Sequence, residues 1–228
     1  MGFSRYAMPA ATRVFSGEER ATLVRRTYSI VLGSVLVTMA GVSFGLGNEG
    51  IRQAVMDHWF ISFLLILAPL MLAQSTKLAM PQRLGLVGLF AAMEGVWLSP
   101  IIFSANLVAP GIVGQAGGLT IGAFSVLTAY AWFSRRDFSA WGGFLLTGLF
   151  VLMGTMLLSF FFPNNLTHLW ISGVGVLLMS GLLVFDTWRL RTAFGPDDYI
   201  PAAIQIYLDL LNMFLFILSL LGGGRRRG

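Results

Sequence analysis

Apolar residues fall along this chain in long unbroken runs rather than in an alternating or every-third pattern. Seven runs stand out, at about 27–47, 59–76, 84–104, 112–133, 141–162, 169–188 and 202–221. A helix rises about 1.5 Å per residue, so a run of about 20 crosses the roughly 30 Å of hydrocarbon in a bilayer. The hydrocarbon offers the backbone no hydrogen-bond partners, so each run must satisfy its own amides as a helix. A transmembrane barrel would need alternating strands of about ten residues, and these runs are continuous. The connections are short. The pattern therefore predicts an all-α, polytopic membrane helix bundle of seven transmembrane helices.

The polar flanks divide the chain into a basic N-terminal segment (1–26), a transmembrane domain (27–221) and a Gly/Arg tail (222–228). No apolar core of a cleavable signal precedes Thr27, so the first run is expected to serve as both targeting signal and first helix. Composition agrees. Hydrophobic residues make up 56% and charged residues 11% of the chain, against about 25% charged in an average soluble domain. That is too little charge to cover a surface in water. There is no cysteine, which excludes disulfides, thiolate metal sites and a cysteine nucleophile.

The net charge of +5 sits in short clusters at the ends of the runs. There it meets anionic headgroups and orients helices, and nucleic acid is a poor partner for it. With seven spans, eleven lysines and arginines share one side: Arg5, Arg13, Arg20, Arg25, Arg26, Lys77, Arg83, Arg135, Arg136, Arg189 and Arg191. Arg52 and Arg225 to Arg227 fall on the other. The positive-inside rule then places the N-terminus in the cytoplasm. The tail opposes the rule. Either the earlier loops dominate or the last run dips in and returns, and seven full spans are expected. Glycines four apart, at Gly41 and Gly45 and at Gly114, Gly118 and Gly122, suit close helix packing within the bundle or a dimer face. Packing within the bundle is the simpler reading.

Three ionisable residues fall inside the runs, all acidic: Glu94, Asp186 and Asp209. A charge at the bilayer centre costs roughly 2.5–3.5 kcal/mol on insertion scales, so each needs a reason. An interior with acids and no bases favours cations or protons over anions. Asp186 lies near the end of the sixth run and Asp209 near the start of the seventh. Antiparallel packing would bring the two carboxyls to similar depth, where they cannot easily both ionise and are expected to share a proton. Asn212 lies on the same helical face as Asp209 and could help hold a cation. Two carboxylates and one amide fall short of the six to eight oxygens usual around Ca²⁺, so a metal site at Asp186 and Asp209 would be weak, as permeation requires. Alternatively, Asp186 pairs with Arg189 or Lys77 and simply holds two helices together. Glu94, beside Gly95 and before Ser99–Pro100, could line a cavity on a bent helix. Asp197 and Asp198 read as a solvated turn, and His58 and His168 as separate interfacial residues.

Three stretches carry a resemblance: Ser134–Arg–Arg–Asp–Phe–Ser139, Phe185–Asp–Thr–Trp–Arg189, and Tyr207–Leu–Asp–Leu–Leu–Asn–Met–Phe214 with Gln205 before it and Leu221–Gly–Gly223 after it. Together they resemble the Bax inhibitor-1 family, also called the transmembrane Bax inhibitor motif family, from about residue 20 to Gly223. The resemblance implies a bundle whose last helix is surrounded by the other six. It also implies a pH-sensitive calcium leak, suppression of cell death in eukaryotes, and an inner-membrane location in bacteria, where one branch modulates a membrane-bound protease. The family's paired aspartates correspond to Asp186 and Asp209. A basic residue after the second helix latches the first of them in family members, and Lys77, then Arg83, match best. The acid that some members carry in the second helix is missing between Trp59 and Thr76.

The leading expectation is therefore a cation leak channel, Ca²⁺ foremost, gated by protonation of the aspartate pair. The chain is not expected to be an enzyme or to need a cofactor; Ca²⁺ enters as the permeant ion. The bilayer, Ca²⁺ or protons, and a membrane protease or other membrane proteins are its expected partners. A non-conducting regulator of a protease or of a cell-death or stress pathway is the alternative. An aspartyl intramembrane protease is the third reading, disfavoured because Ile206–Tyr–Leu precedes Asp209 where those enzymes resemble one another in a Gly-x-Gly-Asp motif.

Overall fold

The computed structural model describes residues 16–75, 77–161 and 165–225. Residues 1–15 of the basic segment and 226–228 of the tail lie outside this range.

Eight helices follow one another: α1 (Gly17–Gly47), α2 (Glu49–Asp57), α3 (Trp59–Ala73), α4 (Met80–Val108), α5 (Ile112–Phe133), α6 (Trp141–Phe161), α7 (Asn165–Thr192) and α8 (Tyr199–Arg225). Six are long and apolar enough to cross a membrane, and the pair α2–α3, bent by 98°, makes a seventh span if counted as one. The helices outrun the apolar runs because hydropathy reports hydrocarbon, whereas helix ends are set by caps. Ser16 starts α1 ten residues ahead of its run. Its hydroxyl accepts from the Glu19 amide at 3.2 Å, while the Glu19 carboxylate accepts from the Ser16 amide at 2.8 Å, a reciprocal cap. Gly111, at φ +83°, turns the chain into α5, a conformation glycine reaches without a Cβ penalty.

The second run differs most from expectation. The sequence reads it as one span over 59–76, but α3 has only 15 residues and is preceded by the nine-residue α2. Glu49, Arg52, Gln53 and Asp57 hide α2 from a hydropathy reading, yet Ile51 and Val55 give it an apolar stripe at helical spacing.

The last helix is central, with a refinement. It packs on α1, α4, α5 and α7, while α3 packs on α4 and α6 on α7 as an outer layer. The most extensive pair is α1 with α4, and small residues permit it. A Cβ on Gly41 would run into the Ala92 carbonyl, one on Gly95 into the Thr38 carbonyl, and one on Gly45 into the Ser99 side chain. Gly41 and Gly45 are thus packing glycines within the bundle. Gly114, Gly118 and Gly122 are not: nothing lies within 4 Å of a Cβ built on any of them.

Several arginines counted above as topology signals also cap helices. Arg20 donates to the carbonyls of Leu190 and Phe194 at 3.1 and 2.7 Å. Arg83 donates to Ala73 at 2.8 Å, and Arg191 to Trp132 and Ser134 at 2.6 and 2.8 Å. Arg52 donates to Leu46 at 2.9 Å. Each satisfies at least one carbonyl at a helix end, where the helix itself leaves it without a partner. The Ser134–Ser139 loop is anchored by Phe138, buried against Ala131 and Val184 with its ring edge-on to Trp141 and Trp188.

Candidate functional site

Asp186 on α7 and Asp209 on α8 meet inside the bundle. Each residue is 7% exposed, and their side chains lie within hydrogen-bonding reach of each other. Two carboxyls can bond to each other only through a proton. Asp209 Oδ2 is buried with no donor beside it among the described residues.

The counter-charge comes from Arg189, one turn beyond Asp186. Its Nη1 lies 3.1 Å from Asp186 Oδ1 and donates at 3.0 Å to Gln205 Oε1 on α8. The guanidinium also sits over the rings of Phe185 and Phe194, at 5.5 and 4.7 Å. This one cation therefore ties α7 to α8 next to the carboxyl pair. The alternative in which Asp186 pairs with Arg189 describes the geometry; Lys77 is exposed and in no ion pair among the described residues. Arg83 is buried, but its Nε is engaged by Ala73 at the end of α3. Neither of the two latch candidates is brought to Asp186.

The remaining candidates separate. Asn212 is half-buried one turn beyond Asp209, and no hydrogen bond joins it to either aspartate among the described residues. Glu94 is half-buried on α4, and no hydrogen bond joins it to either aspartate among the described residues. No group of three or more His, Cys, Asp or Glu able to hold a metal occurs among the described residues. Asp198 takes the turn role: its Oδ2 accepts from the Gly195 amide at 2.8 Å. His58 forms the corner between α2 and α3, and His168 stands exposed near the start of α7.

Tyr207 gives the α8 motif a second face. Its hydroxyl lies 2.7 Å from Thr38 Oγ1, which also reaches the carbonyls of Ser34 and Ala91. The Phe90 ring meets Tyr207 edge-on at 6.0 Å. Tyr207 thus fastens α8 to α1 and α4 while Asp209, two residues on, faces α7. The three-residue spacing of Asp186 and Arg189 already offered the ion pair in the sequence; the reach of Arg189 to Gln205 on α8 was not legible there.

A family profile described as "Inhibitor of apoptosis-promoting Bax1" matches residues 20–226. The chain is similar to Bax inhibitor 1 of Schizosaccharomyces pombe, 32% identical over 89% of this chain and 77% of that protein. It is also similar to an uncharacterized membrane protein of Vibrio cholerae, 32% identical over 94% of this chain and 96% of that one. The Golgi anti-apoptotic protein of vaccinia virus is 31% identical over 89% of this chain and 85% of its own length. With a match across nearly its whole length, this integral membrane protein belongs to the Bax inhibitor-1 family.

Proposed function

We propose that the protein is a pH-sensitive cation leak, Ca²⁺ being the foremost permeant ion, gated by protonation of the Asp186–Asp209 pair. The observation that carries this reading is the pair itself: two buried carboxyls in contact, matched by one cation. A single shared proton leaves one negative charge, which Arg189 balances. Adding a second proton removes that charge and leaves Arg189 without an anionic partner, so the bridge from Asp186 through Arg189 to Gln205 loosens. Acid then frees the end of the α7–α8 seam and promotes the leak. The Arg189 end lies at the cytoplasmic face of a bacterial inner membrane in this reading, with the N-terminus on the same side.

The test is flux into purified proteoliposomes holding a calcium dye. Ca²⁺ entry should rise between about pH 8 and about pH 6, the range that a carboxyl pair sharing a proton can reach. Vesicles as tight as protein-free ones at every pH would overturn the leak. The second reading, a non-conducting regulator of a death or stress pathway or of a membrane protease, would then lead, supported by the similarity to the Golgi anti-apoptotic protein of vaccinia virus.

A further inference from the structure

One face of α8 carries Gln205, Asp209, Asn212, Phe216, Ser219 and Gly223 at spacings of three and four residues, so all six line up along the helix. The stripe is polar or small throughout except at Phe216. Beyond Phe216 it enters a cavity of about 330 Å³ lined by Ser104, His168 and Ser219 together with apolar residues of α4, α5, α7 and α8. At its edge the Ser219 hydroxyl lies 2.7 Å from that of Ser172, which donates to the His168 carbonyl at 2.8 Å. Between cavity and carboxyl pair, Phe216 is seated on Gly175 of α7. A Cβ on Gly175 would come 2.5 Å from the Phe216 ring, so glycine is what lets the ring lie close against the neighbouring helix.

We infer that the path along α8 has a second polar station in the Ser104–His168–Ser219 vestibule, for a hydrated cation, and that Phe216 on Gly175 is the apolar seal between it and the carboxyl pair. This rests on the proposed leak for its purpose, though not for its test. From Asp209 to Phe216 is about 10 Å along the helix and to Ser219 about 15 Å. A ring at that position interrupts the only run of polar side chains along this face of α8. An apolar constriction of this kind stops ions by refusing their water. The carboxyl pair would then set when the path opens, and Phe216 how completely it closes.

The chain has no cysteine, so single cysteines report without background. A membrane-impermeant thiol reagent is attacked by the thiolate, which forms readily only where water reaches. Ser219→Cys should be modified readily from the vestibule side. Asn212→Cys should react at least about tenfold more slowly while Phe216 is present, and approach the Ser219→Cys rate once Phe216→Ala is added. Phe216→Leu, which keeps an apolar plug and guards against a folding defect, should leave Asn212→Cys protected. Equal reaction at both positions with Phe216 intact would show that there is no seal. Continued protection of Asn212→Cys in folded Phe216→Ala protein would show that no path joins the two stations. Either result overturns the inference whether or not the vesicles leak Ca²⁺, and Ca²⁺-tight vesicles would overturn only the leak.

Discussion

The α1–α4 crossing and the α7–α8 seam hold their helices together by opposite means. At the crossing, Gly41, Gly45 and Gly95 bring backbone against backbone. At the seam, the contact is made by Asp186, Asp209, Arg189 and Gln205, whose bonds depend on who carries the proton. Dispersion between close-packed backbones does not change with pH. A shared proton does. In the proposed leak, the crossing is the frame and the seam is the part that switches.

The crossing is the place to break the frame. Gly95→Leu should have the largest effect, because its Cβ would collide with the Thr38 carbonyl and the Val42 amide, atoms that cannot move without separating the helices. We expect destabilisation of about 3 kcal/mol or loss of folded protein, seen as a collapsed thermal transition in detergent. Gly118→Ala, where a Cβ meets nothing, should melt like wild type. Equal melting of the two variants would show that the crossing is not tight.

The seam should instead lose its switch while keeping its fold. Asp209→Asn, nearly isosteric and still hydrogen-bonding, should melt near wild type yet abolish or shift the pH dependence of Ca²⁺ flux. Asp186→Asn should imitate the protonated state and leak more at about pH 8. An unchanged pH profile in both variants would remove the pair from the mechanism.

Tyr207→Phe sharpens the contrast from within one helix. It deletes the bond to Thr38 on the frame side of α8 and should cost about 1 kcal/mol of stability, leaving the pH midpoint of flux in place. The smallest effect is expected at Lys77. Exposed and unpaired among the described residues, it can become Gln with no change in flux at any pH, whereas a latch to Asp186 would shift the profile.

Sequence reading found the bundle because lipid imposes a long apolar run on every simple span, and it found Asp186 and Asp209 because acids in such runs are costly. It placed both without any contact information. It missed α2, whose polar residues resemble a loop when hydropathy alone is counted. The latch is a different kind of limit: Lys77, Arg83 and Arg189 are all basic residues near a helix end, and only packing decides that Arg83 turns to Ala73 while Arg189 turns to Asp186 and Gln205. Likewise, Gly41 and Gly118 sit in similar small-residue spacings, and nothing local distinguishes the one that packs from the one that does not.

The elbow at His58 carries a consequence for the surrounding lipid. At 15 residues, α3 is about 22 Å long, well short of a hydrocarbon layer of about 30 Å. Its neighbour α4 is 29 residues long, so the protein presents unequal apolar heights to the bilayer on adjoining flanks. Where α3 crosses without α2, lipid beside it has to thin, or polar flanking groups have to reach up to the headgroups, at a cost that grows with each ångström of mismatch. Bilayer thickness thereby becomes a variable to which this flank of the molecule responds, and a thinner membrane suits it better than a thick one.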